Sequence, residues 1–193
     1  MRMRRKKNLT QRLESAAKYL EREPEKLRGK WREHSSGRPI WLEIGCGKGR
    51  FICAAAEESP ELFYVAMERV GSVIVMAMEK AQEQGLENLI FINGDASRLN
   101  DIYAPGEVDG IYLNFSDPWP SNRHINRRLT SEGFLSIYKS ILKPDGRLCF
   151  KTDNRGLFDF SVSELKKYGW RLENLTYDLH GTAEAMQQAL TMP

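Results

Sequence analysis

The clearest structural signal in this chain is Pro39-Ile40-Trp41-Leu42-Glu43-Ile44-Gly45-Cys46-Gly47-Lys48-Gly49. Residues 39–44 are mostly apolar and predict a buried strand, and the glycines of residues 45–49 predict a tight turn directly after it. A helical apolar stripe follows the turn, formed by Phe51, Ile52, Ala55 and Ala56. This stretch therefore predicts a strand–turn–helix unit in which a glycine-rich turn follows the end of the strand.

The same alternation of strands and helices continues along the chain. Further strands are predicted at residues 62–67, 89–92, 108–115 and 147–151, and helices at residues 72–84, 130–142 and 156–167. Residues 143–146, Lys-Pro-Asp-Gly, predict the end of a helix, and residues 170–179 are expected to be extended. Such alternation produces βαβ units with parallel strands. We therefore predict an α/β fold of the Rossmann-like kind, a doubly wound, mostly parallel sheet with helices on both faces.

Charge is distributed unevenly along the 193 residues. The chain has 29 Lys and Arg against 26 Asp and Glu, but residues 1–38 hold 13 basic and 5 acidic side chains, a net charge of +8. The remainder carries −5, which gives the overall +3. Residues 1–38, with a short helix predicted at residues 11–20, are therefore expected to form a basic N-terminal arm that favours a polyanionic partner. Basic N-termini are also often inert, so charge alone leaves nucleic-acid binding open.

Composition argues against several other classes of protein. No apolar run approaches the roughly 18–20 residues of a membrane span, and the basic start lacks the apolar segment of a secretory signal, so a cytoplasmic protein is expected. Cys46, Cys53 and Cys149 are too few for a disulfide framework and lack zinc-site spacing, and no metal is expected. Monomer and homodimer both stay open. The predicted division is an arm at 1–38, an α/β domain at 39–180 and a C-terminal tail at 181–193.

Acidic residues stand where three successive predicted strands end, at Glu43, Glu68 and Asp95. Doubly wound sheets bind ligands beyond the carboxyl ends of their strands. Glu43 could orient a cationic amino-acid group, Glu68 could accept two ribose hydroxyls, and Asp95 could accept a purine amine. Each acid alone is more simply a solvated residue or a helix cap, but the three together favour S-adenosylmethionine as cofactor. The turn that would approach this cofactor contains Gly45, Gly47 and Gly49.

The most specific segment is Asn114-Phe115-Ser116-Asp117-Pro118-Trp119-Pro120-Ser121-Asn122-Arg123-His124-Ile125-Asn126-Arg127-Arg128-Leu129. Two prolines flank a tryptophan and stiffen the loop, which would hold Asp117 at the end of the fourth strand, facing a methyl acceptor. A cationic cluster suited to phosphates follows, formed by Arg123, His124, Arg127 and Arg128. The alternative is a purely structural role, a rigid crossover loop with a solvated basic face.

Residues 114–129, with residues 43–49 before them and residues 150–154 after them, resemble the bacterial tRNA (guanine-N7)-methyltransferases of the TrmB type. The resemblance covers most of the chain. The Asn-Phe-x-Asp-Pro-Trp-Pro run is specific to that family, whereas the glycine motif is shared among methyltransferases. The resemblance implies a class I S-adenosylmethionine-dependent methyltransferase domain that methylates N7 of the variable-loop guanosine of tRNA. It also implies cofactor contacts by Glu43, Glu68, Asp95 and Asp117, a catalytic role for Asp117, a substrate contact by Asp153, and RNA contacts by residues 123–128.

Two departures separate this chain from the family pattern. Ser121 stands where relatives have a basic residue that contacts the substrate. Residues 181–193 contain no counterpart of the Thr-x-Tyr-Glu segment with which relatives help to hold the guanine. Two alternatives therefore stay open: a catalytically silent tRNA-binding relative that lacks this clamp, and a small-molecule methyltransferase. The small-molecule alternative leaves the basic arm and the arginines of residues 123–128 unexplained.

The chemistry of the implied reaction assigns roles to two aspartates. Guanine N7 has an in-plane lone pair and no proton, so the attack needs no base at that atom, and positioning should supply much of the rate. The product ring is cationic, and a nearby carboxylate stabilises the charge that develops in the transition state. We therefore expect Asp117 to orient the base and to offset this charge, and Asp153 to help to hold the base.

Overall fold

A parallel β-sheet forms the centre of the computed structural model, which describes residues 9–178. Its strands are β1 (Ile40–Ile44), β2 (Phe63–Glu68), β3 (Leu89–Asn93), β4 (Val108–Asn114) and β5 (Leu142–Lys151). In the described part of the chain they lie in the order β3-β2-β1-β4-β5, and every pairing is parallel. The predicted mostly parallel α/β sheet is therefore confirmed. Strand order reverses between β1 and β4, the position at which such sheets bind ligands.

The α-helices of the described residues are α1 (Leu9–Ser15), α2 (Trp31–His34), α3 (Arg50–Glu58), α4 (Gly71–Glu83), α5 (Leu99–Ile102), α6 (Glu132–Ile141) and α7 (Arg155–Lys167). The bounds of α4, α6 and α7 agree with the predicted helices to within two residues. The helix predicted at residues 11–20 is shorter, because α1 ends at Ser15 and a short 3-10 helix follows at Ala17–Tyr19. No helix within residues 9–178 has the length and apolar character needed to cross a membrane.

Near the far edge of the sheet, the structure differs from the predicted start of the fifth strand and from the extended segment predicted after the last helix. The preceding helix ends at Ile141, directly before residues 143–146, which were predicted to close it. The fifth strand, however, begins at Leu142 and not at the predicted residue 147, because Val108 already pairs with Leu142 and Gly110 pairs with Arg147. The four intervening residues bulge out of the ladder, as extra residues do in one strand of a pair. Residues 170–178, which were expected to be extended, form no strand. Asn174 has a φ of +52° there, a left-handed conformation that interrupts an extended chain.

The two faces of the sheet carry two separate apolar cores. Side chains alternate along a strand, so β2 gives Val65 and Met67 to one core and Tyr64 and Ala66 to the other. The first core is covered by α2, α5, α6 and α7, and the second by α3, α4 and residues 16–19. Helices therefore cover both faces, as the doubly wound prediction requires.

The described part of the basic N-terminal segment packs against the sheet and its helices. Trp31 is completely buried, its Nε1 donates to the Ile102 carbonyl at 2.9 Å, and its ring stacks on Tyr103 at 4.9 Å. The Glu21 N–H donates to the Phe91 carbonyl at 2.9 Å, at the outer edge of β3. Residues 9–38 are therefore an ordered layer of the domain, whereas residues 1–8 of the predicted arm and the predicted tail at 181–193 lie outside the described residues.

Candidate functional site

The carboxyl ends of the five described strands bring the predicted site segments to one edge of the sheet. The glycine turn follows β1, Glu68 ends β2, and Asp95 lies just beyond β3. The loop that contains Asp117 leaves β4, and Asp153 follows β5. Because β1 and β4 are neighbours at the switch point, the glycine turn and the Asp117 loop leave the sheet side by side.

The glycine turn adopts a backbone shape that needs its glycines. Gly45, Gly47 and Gly49 have φ values of +79°, +56° and +74°, which residues with side chains rarely adopt. A Cβ on Gly49 would lie 2.7 Å from the Ala77 Cβ, so this glycine also permits close packing of α3 on α4. A Cβ on Gly45 or Gly47 would meet no atom within 4 Å. These two residues therefore border open space, which a ligand can approach closely.

Glu43 is a buried carboxylate with one oxygen unpaired. Its side chain lies in β1 beside Tyr112 of β4 and is 2% exposed. Oε1 accepts a hydrogen bond from Asn114 Nδ2 at 3.0 Å, whereas Oε2 has no partner among the described residues. Burial raises the pKa of Glu43 to about 7, although the Asn114 hydrogen bond lowers it. A buried acceptor of this kind is stabilised by a ligand that donates hydrogen bonds or carries positive charge.

Glu68 bridges the glycine turn and the loop after β2. Oε2 accepts from the Gly47 N–H at 3.2 Å, and Oε1 accepts from the Val70 N–H at 2.8 Å. A carboxylate has about four acceptor positions, so two stay available for donors on a ligand. Glu68 is therefore fixed in place by backbone groups while it keeps acceptor capacity at the open side of the turn.

Asp95 caps the short 3-10 helix that follows β3. Oδ1 accepts from the Ser97 N–H at 3.0 Å, and Arg69 Nη1 lies 3.7 Å from Oδ2. The Ser97 N–H is the largest cause of the lowered pKa of Asp95, and Arg69 adds to it. The predicted acceptor is therefore ionised and oriented, but one of its oxygens already serves the helix cap.

A cavity of about 290 Å³ lies next to Asp95, between residues 20–25 and residues 92–98. It opens at the outer edge of β3, whereas the strand order reverses between β1 and β4. Of the acids at the predicted site, only Asp95 borders it among the described residues. The cavity is therefore a feature of the N-terminal layer and not the crevice at the switch point.

The loop after β4 is held by Arg128, which departs from its predicted role as a phosphate contact. Arg128 is 9% exposed, and its Nε and Nη2 donate to the Trp119 carbonyl at 3.3 and 3.1 Å. Nε also lies 3.1 Å from the Pro118 carbonyl, and the guanidinium covers the Phe160 ring at 4.3 Å. Because these contacts turn the guanidinium inward, Arg128 fixes the segment next to Asp117.

The rest of the cationic cluster surrounds Trp119. The Arg127 guanidinium lies over the Trp119 ring at 4.8 Å, and His124 meets the same ring edge-on at 5.6 Å. Arg123 and Arg127 are exposed. Ser121, where the family pattern has a basic residue, caps the 3-10 helix at Asn122–Arg127, with its Oγ 3.4 Å from the Arg123 N–H. Ser121 therefore has a local structural role in this chain.

Asp117 and Asp153 are both exposed and follow neighbouring strands. The Phe115 N–H donates to the Lys151 carbonyl at 2.9 Å, which ties the start of the Asp117 loop to the end of β5. Beyond Asp153, the Asn154 side chain caps α7 by accepting from the Leu157 N–H at 2.8 Å. The fold therefore brings these two aspartates to the same side of the switch point.

Asn114, which contacts the buried acid of the candidate site, was not singled out from the sequence. Asn114 orients the buried carboxylate of Glu43, and its own Oδ1 has no partner among the described residues. A polar residue at the end of an otherwise apolar strand was the available signal for Asn114. The next residue, Phe115, is exposed at the end of β4, and no local sequence pattern predicts this exposure. Across residues 9–178, no cluster of three or more His, Cys, Asp or Glu side chains could hold a metal ion.

The sequence and the fold are similar to those of known methyltransferases. The profile of a family described as "Putative methyltransferase" matches residues 37–190. A tRNA (guanine-N(7)-)-methyltransferase of Lachnoclostridium phytofermentans is 49% identical over 84% of this chain and 76% of its own length. One from Lactococcus lactis subsp. cremoris is 42% identical over 99% of this chain and 89% of its own. An antibiotic-related methyltransferase of known structure has a TM-score of 0.57 and 18% identity, over 85% of this chain and 88% of the other, and so supports the fold alone.

Proposed function

The chain belongs to the tRNA (guanine-N7)-methyltransferase family, and from this membership we propose that it transfers a methyl group from S-adenosylmethionine to N7 of the variable-loop guanosine of tRNA. The observation that carries the proposal is the pairing of buried Glu43 with Asn114 at the switch point, where β4 ends and the loop that contains Asp117 begins. A tRNA substrate also implies that the protein acts in the cytoplasm.

The acids at the carboxyl edge fit S-adenosylmethionine. The unpaired Oε2 of Glu43 is matched by an ammonium group, which supplies both donors and positive charge. The remaining acceptor positions of Glu68 suit ribose hydroxyls, and Asp95 suits the exocyclic amine of adenine. Gly45 and Gly47 leave space for the approach of the cofactor. When bound, S-adenosylmethionine supplies an electrophilic methyl group on a positively charged sulfur.

Asp117 is proposed as the catalytic residue at the guanine. N7 carries an in-plane lone pair and no proton, so the protein needs to orient the base but not to remove a proton from that atom. Asp117 accepts hydrogen bonds from the donor edge of the base and offsets the positive charge that develops on the ring. Asp153, which follows the neighbouring strand, helps to hold the same base. Arg128 keeps the Asp117 loop in place through the carbonyls of residues 118 and 119.

The exposed cations of the same loop suit the RNA backbone. Arg123 and Arg127 are exposed, and His124 lies between them in sequence. Phosphate contacts of this kind supply most of the affinity for a nucleic acid without reading its sequence. We therefore assign tRNA positioning to Arg123, His124 and Arg127, whereas the buried Arg128 stabilises the loop.

The test is single-turnover methylation of unmodified tRNA with isotopically labelled S-adenosylmethionine, followed by nucleoside analysis. The parent protein should produce 7-methylguanosine. Asp117→Asn should transfer methyl about 10²–10³-fold more slowly, the size of effect seen when one transition-state contact is lost, while most tRNA affinity remains.

Asp145→Asn is the matched control, because Asp145 is exposed in the bulge at the opposite end of the sheet and should keep the parent rate. An Asp117→Asn variant that transfers methyl at the parent rate would contradict the Asp117 assignment. A parent chain that binds tRNA and cofactor but never methylates would contradict the proposed function and favour a silent binder.

A further inference from the structure

Phe115 is an exposed aromatic residue that directly follows β4, at the start of the loop that contains Asp117. Its side chain is 67% exposed, the largest value among the large apolar residues described as exposed, which are Val70, Phe115, Leu175 and Tyr177. Its φ is +52°, a left-handed conformation that is uncommon for a bulky residue. Strained backbone of this kind persists where the surroundings hold it, and it is concentrated at functional sites.

The surroundings of Phe115 hold its backbone from both sides. Its N–H donates to the Lys151 carbonyl at 2.9 Å, and the preceding residue, Asn114, is fixed by its hydrogen bond to Glu43. On the other side, Arg128 anchors the carbonyls of residues 118 and 119. The exposure of the ring is therefore a consequence of a fixed backbone at the end of β4 and not of a loose chain end.

Of the two aromatic rings in this loop, Phe115 is the one available to a ligand. Trp119 is covered by Arg127 and meets His124. Within residues 9–178, no ring stacks on Phe115 and no cation lies over it. An apolar ring that stays exposed in the loop that also contains the exposed Asp117 suits a ligand with a flat face and a polar edge, which describes a nucleobase.

We propose that Phe115 is the platform on which the target guanine stacks during methyl transfer, an inference that rests on the proposed function. Methyl transfer to N7 proceeds in the plane of the base, so a ring against the face of the guanine leaves the N7 edge open. Asp117, two residues further on, is then free to accept from the donor edge. Stacking fixes the plane of the base without selecting its identity. Asp117 and Asp153 would then select guanine by accepting hydrogen bonds from its donor edge.

Four substitutions of Phe115 distinguish stacking on the guanine from apolar packing within the protein and from strain in the Phe115 backbone. Phe115→Tyr and Phe115→Trp keep a flat ring, Phe115→Leu keeps apolar bulk without one, and Phe115→Asn removes the ring but tolerates a left-handed backbone. Loss of the stacking contact with one base weakens nucleic-acid binding by roughly 5- to 150-fold. We expect the Leu and Asn variants to lose about that much kcat/KM for tRNA, while Tyr and Trp keep at least a fifth of the parent value.

Cofactor affinity, tRNA affinity and Tm are measured for the same four variants. We expect unchanged S-adenosylmethionine affinity throughout and an unchanged or raised Tm for Phe115→Asn, because the strain at φ +52° is relieved. Parent-like kcat/KM in Phe115→Leu would overturn the proposal. A lowered Tm in Phe115→Asn would instead show a packing residue, and a parallel loss of cofactor affinity would show a cofactor contact.

Measuring the tRNA affinities of the Phe115 variants tests the stacking platform independently of methyl transfer. If the parent chain transfers no methyl, the proposed function fails, but the platform is still tested by binding. A platform predicts that Phe115→Leu weakens the binding of unmodified tRNA and that Phe115→Trp does not. Equal tRNA affinities for the parent, Leu and Trp proteins would overturn the platform whether or not the parent methylates.

Discussion

Glu43→Gln should raise the unfolding free energy of the ligand-free protein at alkaline pH. The same substitution should weaken its affinity for S-adenosylmethionine. The Glu43 carboxyl is buried, and Oε2 has no partner among the described residues. Its pKa is about 7 in the folded protein, against an ordinary value of 4.5. Glutamine has nearly the same size and keeps an acceptor oxygen for Asn114, but it cannot ionise. The substitution therefore removes the energetic cost of a buried negative charge.

The sign of the effect follows from proton binding. The folded protein holds this proton more tightly than the unfolded chain, so its contribution to stability is complete below about pH 4.5 and is lost as the pH rises through about 7. Each pKa unit corresponds to 1.36 kcal/mol. Between about pH 5 and pH 8, the parent should therefore lose roughly 2–3 kcal/mol of unfolding free energy relative to Glu43→Gln.

The assay is denaturant unfolding of both proteins across this pH range at constant ionic strength. Glu87→Gln is the control, because Glu87 is exposed and should show no such difference. Calorimetry in buffers of different ionisation enthalpy then counts protons, because cofactor binding below about pH 7 should release one proton from the parent and none from the variant. If the unfolding free energies of the parent and Glu43→Gln changed in parallel with pH, Glu43 would not carry a buried charge with a raised pKa.

Two further predictions concern the cofactor and the RNA. Glu68→Ala should weaken S-adenosylmethionine binding by about 1–3 kcal/mol in calorimetry, since hydrogen bonds to a charged acceptor are lost; unchanged affinity would remove Glu68 from the ribose role. Arg127→Ala should flatten the salt dependence of tRNA binding by about one unit, whereas Arg128→Met should leave that slope unchanged and lower Tm. Equal salt slopes for the parent and Arg127→Ala would contradict the phosphate role of Arg127.

The sequence predicted the sheet and the position of the cofactor acids well, because both depend on local patterns. Apolar strands that end in Glu43, Glu68 and near Asp95 place these side chains at one edge once the strands are parallel. The glycine turn could also be predicted from the sequence, because glycine adopts the positive φ that Gly47 has more readily than other residues do. Whether these acids bind the cofactor stays a prediction.

The remaining features depend on tertiary contacts that local patterns do not contain. Arg128 has the same side chain as Arg127 and follows it directly, yet Arg128 is buried over Phe160 and Arg127 is exposed on Trp119. Lys-Pro-Asp-Gly at residues 143–146 has the composition of a turn, but pairing on both sides keeps it within β5 as a bulge. Sequence spacing gives neither the direction of a side chain nor the register of a neighbouring strand.

Guanine N7 is tested as the acceptor atom by methyl transfer to a tRNA in which the acceptor guanosine is replaced by 7-deazaguanosine, which has a carbon in place of N7. The acceptor is first located by mapping the labelled methyl group in unmodified tRNA. We expect the substituted tRNA to bind with the affinity of the unmodified one, because phosphate contacts dominate binding, and to receive no methyl group at that position. Methylation of the substituted nucleoside, or a labelled product other than 7-methylguanosine from the unmodified tRNA, would contradict the claim that this site methylates guanine N7.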